Sequence, residues 1–184
     1  MSRTQKCSEV INDYEGYVAL KEVEKHIKGG NIRLKKTNSN VHFQAAKMST
    51  EDDIFTVEIK QKIDAERHYS INLYCPTFMA CRPCFRFDSD GHVHMNRNGK
   101  PLLQRRIPTP HFHEFDEQGR EIAYRTERID GDKTFPTGKS DALNHFSEVH
   151  NMVMESELKI VSEGDLFRDE TEGFDPNSGE DFNE

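Results

Sequence analysis

The clearest pattern along the chain is alternation. Across 54–63, Phe55, Val57, Ile59 and Ile63 fall opposite Thr56, Glu58, Lys60 and Lys62. A period of two predicts a strand with one buried and one wet face. Tyr69, Ile71, Leu73 and Cys75 repeat the pattern after a short polar turn, so 54–75 reads as a hairpin. Further strands are expected at 40–48, where Val41, Phe43 and Ala45 alternate with His42, Gln44 and Ala46, and at 84–88, where Phe85 and Phe87 oppose Arg86 and Asp88. A second hairpin is expected from 111–115 and 121–126 around Gln118-Gly119. Helical spacing marks the ends of the chain. Ser8 is placed to cap a helix over 9–27 that carries Val10, Ile11, Tyr14, Val18, Val23 and Ile27, weakened by Gly16 and stopped by Gly29-Gly30. A last helix begins near Ser140, with Leu143, Phe146, Val149, His150 and Val153 at helical spacing. The proline-rich, basic segment 99–110 reads as an irregular loop. The expected fold is α+β: a small antiparallel sheet flanked by an N-terminal and a C-terminal helix, one domain over 1–167, then a tail.

Composition narrows the class. Only 34% of the 184 residues are hydrophobic, so the core cannot be spread evenly along the chain. No run approaches the ~18 apolar residues of a membrane span. The first residues show no apolar export signal, and four cysteines without one point to reduced thiols in a cytoplasm. The net charge of −8 is local: residues 155–184 hold eleven Asp and Glu against Lys159 and Arg168. The segment 168–184 therefore reads as a disordered acidic tail. It is either a solvated end or a strip, anchored by Phe174 and Phe182, that docks on a protein partner or masks a basic face. Two acid-free basic stretches, 25–36 and 97–106, could form such a face. In the second, Arg97, Arg105 and Arg106 are the candidate phosphate contacts, which makes RNA or a nucleotide a possible partner.

Nine histidines are many for this length, and four sit in two H-x-H pairs, His92/His94 and His111/His113. On a strand, a spacing of two puts both rings on one face, and Arg86 and Asp88 obey the same rule. Three chemistries use such a patch. Imidazoles can serve as general base and acid in phosphodiester cleavage, with Arg86 or Arg106 steadying the developing charge. Neutral imidazoles with Asp88 or Glu117 can hold a divalent ion such as Zn²⁺ or Mn²⁺. Cys81 and Cys84 with two histidines could instead make a structural zinc site, although the spacing is that of no standard finger. A cupin-like reading fails on its glycine spacing, and the common glycine-rich phosphate-binding motifs are absent.

The stretches from Arg86 to Gly99 and from Ile107 to Phe115 together resemble a functionally uncharacterised family of small prokaryotic proteins. Its pattern is R-x-D-x₂-G-x₂-H-x-N-x-[DN]-G followed by P-H-x-H-x-[YF]. Arg86, Asp88, Gly91, His94, Asn96, Gly99, His111 and His113 match it, while His92 falls outside. The resemblance covers roughly 84–146. The family's usual N-P-D-G turn stands here as Asn96-Arg97-Asn98-Gly99, and the aromatic expected before Ala123 is Ile122. Members accompany mobile elements and toxin–antitoxin or defence-like systems. The resemblance implies an accessory protein of such a system, acting as a binding or inhibitory module. The alternative is a toxin-like phosphodiesterase or ribonuclease using His94, His111, His113 and Arg86.

Overall fold

The computed structural model describes residues 6–27, 30–37, 40–97, 101, 105–155 and 158–162. Gly99, the tail 168–184 and the domain end at 167 lie outside the described residues. In chain order the elements are α1 (Ser8–Asn12), α2 (Tyr14–Glu22), β1 (Lys25–Ile27), β2 (Gly30–Thr37), β3 (Asn40–Ser49), β4 (Thr56–Lys62), β5 (Ala65–Tyr74) and β6 (Phe85–Asp88). There follow β7 (His94–Met95), β8 (Arg106–Ile107), β9 (His111–Phe115), β10 (Glu121–Tyr124), α3 (Glu127–Gly131), α4 (Lys139–Val149), β11 (Met152–Met154) and β12 (Leu158–Ser162). The fold is α+β, and both predicted hairpins form, β4–β5 and β9–β10.

The sheet is larger than the small one expected. Eight strands run in the order β10-β9-β6-β5-β4-β3-β2-β12, antiparallel from β10 to β2, with β12 parallel to β2 at the edge. The extra strands come from segments read otherwise. In β2, Ile32 and Leu34 are buried between exposed Arg33 and Lys35, so part of the first basic stretch is the wet side of a strand. After α4 the chain returns as β11 and β12 and does not pass directly into a tail.

The single N-terminal helix is also corrected. It breaks at Asp13, whose Oδ1 accepts from the Gly16 amide at 2.8 Å and caps α2. A Cβ at Gly16 would lie 2.1 Å from Asp13 Oδ2, so glycine makes room for the cap. Helix α2 ends at Glu22, and Lys25 starts a strand instead of joining a basic face. Its side chain is buried, and Nζ donates to the Val23, His150 and Lys21 carbonyls at 2.5, 2.7 and 3.4 Å. These carbonyls belong to the ends of two helices, where a cation is favoured. Burial pulls its pKa down to about 8.

One face of the sheet carries the core. Ile59, Ile71, Leu73, Phe85, Phe87 and Phe112 lie there, fully or almost fully buried. Phe112 stacks on Phe146 of α4 and meets Phe87 edge-on. Tyr17 of α2 stacks on Phe85 and ties two strands together: its hydroxyl donates to Cys84 O and accepts from Phe115 N, both at 2.9 Å. The opposite face is polar and carries His111 and His113. Among the described residues no helix is long and apolar enough to cross a membrane.

Candidate metal centre

Register, more than sequence proximity, assembles the polar face. Lys60, Ser70, Asp88 and His111 are direct partners in a row across β4, β5, β6 and β9. The adjacent row runs Glu58, Asn72, Arg86, His113 and Ala123. Since side chains alternate between faces, every residue of these rows points away from the core. His111 and His113 thus meet Asp88 and Arg86 because two short strands pair in this one register. The hairpin β7–β8 brings His94 over them; it lies outside the main sheet. Asn96 fastens it. Its Nδ2 donates to Ala123 O at 2.8 Å and its Oδ1 accepts from Ala123 N at 2.7 Å, while its own amide donates to Arg105 O. Asn96 is a clamp and Gly91, with a φ of +131°, a turn beside it. A Cβ on Gly91 would come within 3.6 Å of the His68 ring.

Ligand nitrogens of His94, His111 and His113 lie within 4.8 Å of one another. Two of the three rings are pinned from behind. His111 Nδ1 donates to Pro108 O at 3.1 Å, and His113 Nδ1 faces Glu121 Oε1 at 3.3 Å. Their Nε2 atoms therefore converge, 2.8 Å apart, with Asp88 Oδ2 at 3.0 Å from one and 3.9 Å from the other. A backbone carbonyl and a carboxylate behind the imidazoles are the usual outer partners of metal-binding histidines. Nitrogens on a tetrahedral Zn²⁺ stand about 3.3 Å apart, so a small spread of the rings admits an ion.

The charges are arranged to suit one. Glu121 Oε1 lies 3.1 Å from Arg86 Nη2 and 3.3 Å from His113 Nδ1; Asp88 Oδ2 is hydrogen-bonded to His113 and lies 3.3 Å from Arg86 Nε as an ion pair without hydrogen-bond geometry. With neutral imidazoles, one guanidinium between two carboxylates leaves the cluster one negative charge. Burial and then the neighbouring His113 charge bring His111 down to about 4; burial and the same neighbour lower His94. Burial would also lower His113, but hydrogen bonds to Asp88 and Glu121 outweigh it and raise its pKa. Burial would raise Asp88, yet His113 and Arg86 together hold it below its ordinary value. The hydrogen bond from His113 comes first in holding Glu121 near 2. His113 Nε2 stands between Asp88 Oδ2 and His111 Nε2, so a proton on that nitrogen would have to leave before it could meet an ion.

His94, His111, His113, Arg86 and Asp88, all singled out from sequence, thus lie together at the base of a cleft of about 500 Å³. Other candidates lie apart. Arg97, Arg105 and Arg106 do not line the cleft; Arg97 and Arg106 are exposed beside it on the hairpin. His92 lines the cleft outside the ligand group. Glu117 sits exposed in the β9–β10 turn, and the carboxylate that reaches His113 is Glu121. Counting alternate positions across that turn would have found it. Cys84 is buried, its thiol pushed up to about 12 by burial, and Cys81 is exposed. Neither joins the histidines, which form the one such group among the described residues. A scan against protein-family models and searches of curated proteins and of solved structures found no match.

Proposed function

We propose that this domain is a metal-dependent phosphodiesterase whose centre is held by His94, His111 and His113. The observation that carries the reading is the convergence of three imidazole nitrogens, two of them oriented by oxygens behind their rings, at the base of an open cleft. Three protein ligands with a face left open is the arrangement of catalytic rather than structural zinc sites. Metal-free acid–base catalysis by the H-x-H pair is disfavoured: no phosphate fits between two Nε2 atoms 2.8 Å apart. A bound Zn²⁺ or Mn²⁺ would supply an activated water and polarise a phosphoryl oxygen. Asp88 Oδ2, beside both Nε2 atoms, is placed to receive a proton at the open face. Arg86 is committed to Asp88 and Glu121 and acts by holding them, together with His113, in place.

A second reading, the binding or inhibitory module of a mobile-element, defence or toxin–antitoxin system, has one observation of its own. His111 and His113 are almost fully buried, and Asp88 could close the sphere as a fourth ligand. The ion would then rivet hairpin to sheet without turnover, and the acidic tail would meet the partner. One experiment separates the two. Chelator-stripped protein is reloaded with Zn²⁺ or Mn²⁺ and assayed on a labelled RNA and on an activated phosphodiester, beside His94→Ala. Metal-restored hydrolysis that His94→Ala abolishes, with an unchanged metal-free Tm, is expected. Metal that raises Tm with no hydrolysis would establish the binding reading. Hydrolysis indifferent to chelator would overturn the metal centre.

A further inference from the structure

The cleft continues beyond the three histidines along the row of paired residues, and at its far end stands Lys60. We infer that Lys60 is the anchor for a substrate phosphate and that the cleft takes single-stranded nucleic acid, a short run of nucleotides spanning the distance from Lys60 to the metal centre. The substrate class rests on the hydrolase reading; the anion site does not.

Three observations carry it. First, Lys60 lies half-buried on the wet face, and no carboxylate among the described residues pairs with it. The neighbouring Lys47 has Glu58 at 3.4 Å, and Arg86 has both Asp88 and Glu121, while exposed Asp90, the further carboxylate of the cleft, accepts from the Gly91 amide. What holds Lys60 is the ring of Phe43, 4.8 Å from Nζ. That contact orients a cation without neutralising it. Second, the spacing suits a polymer. Lys60 and Asp88 are two strands apart in register, about 10 Å at ~4.8 Å per strand. The Lys60 ammonium leans toward Phe43 of β3, on the side away from the histidines, so the span from Nζ to the metal centre exceeds that distance and takes more than one nucleotide. Third, the walls between combine polar groups and rings, with exposed Val93 and Met95 among them. Ser70 forms the floor, and His68 and exposed His92 line the sides with ring faces on which a base can stack.

The test is binding of a fluorescently labelled oligouridylate to the full chain, stripped of metal so that no cleavage intervenes, followed by anisotropy over a range of salt. The expected result is that Lys60→Gln weakens binding about tenfold at low salt and lowers the slope of log affinity against log salt by about 0.7, the value of one phosphate contact on a single strand. Lys60→Arg should restore both, and neither variant should change Tm or the affinity for Zn²⁺. Equal binding by Lys60→Gln and wild type would overturn the inference, as would an acidic peptide that competes as well as the oligonucleotide. Failure of the hydrolase reading looks different: Zn²⁺ fails to bind or to restore cleavage, while oligouridylate binding still depends on Lys60.

Discussion

At the scale of single residues, the site depends on groups that never touch an ion. Glu121 and the Pro108 carbonyl decide which nitrogens of His113 and His111 face inward. Without them either ring could turn and present the other nitrogen. Glu121→Gln keeps the shape but weakens the acceptor behind His113 and frees Arg86 from one of its two carboxylates. Zinc affinity should fall 10- to 100-fold, read by competition with a chromophoric chelator, while the metal-free fold survives. An unchanged affinity would mean that Glu121 only pairs with Arg86.

At the scale of elements, the weak link is the hairpin β7–β8. Its strands are two residues each, and it lies apart from the main sheet, yet it delivers His94. The side chain of Asn96 fastens it with two hydrogen bonds to one residue of β10. Asn96→Ala removes both and leaves the Ala123 amide and carbonyl without these partners, a loss of roughly 1–3 kcal/mol. Metal affinity should drop as it does in His94→Ala, although Asn96 is no ligand. Chemical denaturation with and without Zn²⁺ checks this: the stabilisation conferred by the ion should shrink in Asn96→Ala. Should it persist in full, the hairpin is held by other contacts.

The whole molecule carries an acid-sensitive core. His150 is fully buried among Phe85, Phe112 and Phe146. Its Nδ1 is bonded to Phe146 O, and among the described residues its Nε2 has no hydrogen-bond partner. Burial lowers its pKa to about 3, against about 6.5 in an unfolded chain. Between those values the unfolded state binds a proton that the folded state refuses. Stability is therefore present above pH 6.5 and is lost as pH falls toward 3, by up to about 1.4 kcal/mol per pH unit. Denaturation midpoints measured from pH 7 to pH 4 should decline, and His150→Phe, which fills the same space with an apolar ring, should flatten the decline. An equally steep fall in that variant would assign the acid sensitivity to the site histidines.

By itself the sequence determined what depends on near neighbours. Period-two alternation places β4, β5, β6, β9 and β10 and their hairpins, because a strand's faces follow from consecutive residues. The same rule puts His111 with His113 and Arg86 with Asp88. Only the tertiary structure decided the rest. Which strand lies beside which, and in what register, depends on partners far apart in the chain, and that register joins Lys60, Ser70, Asp88 and His111 in one row. The weak patterns failed for the same reason. Lys25 looks like a surface charge until two helix ends close over it, and β2 looks like a basic surface segment until it pairs with β3 and β12. Glu121 replaces Glu117 because a turn reverses the chain between them, and burial against His113 is what gives its carboxylate a role.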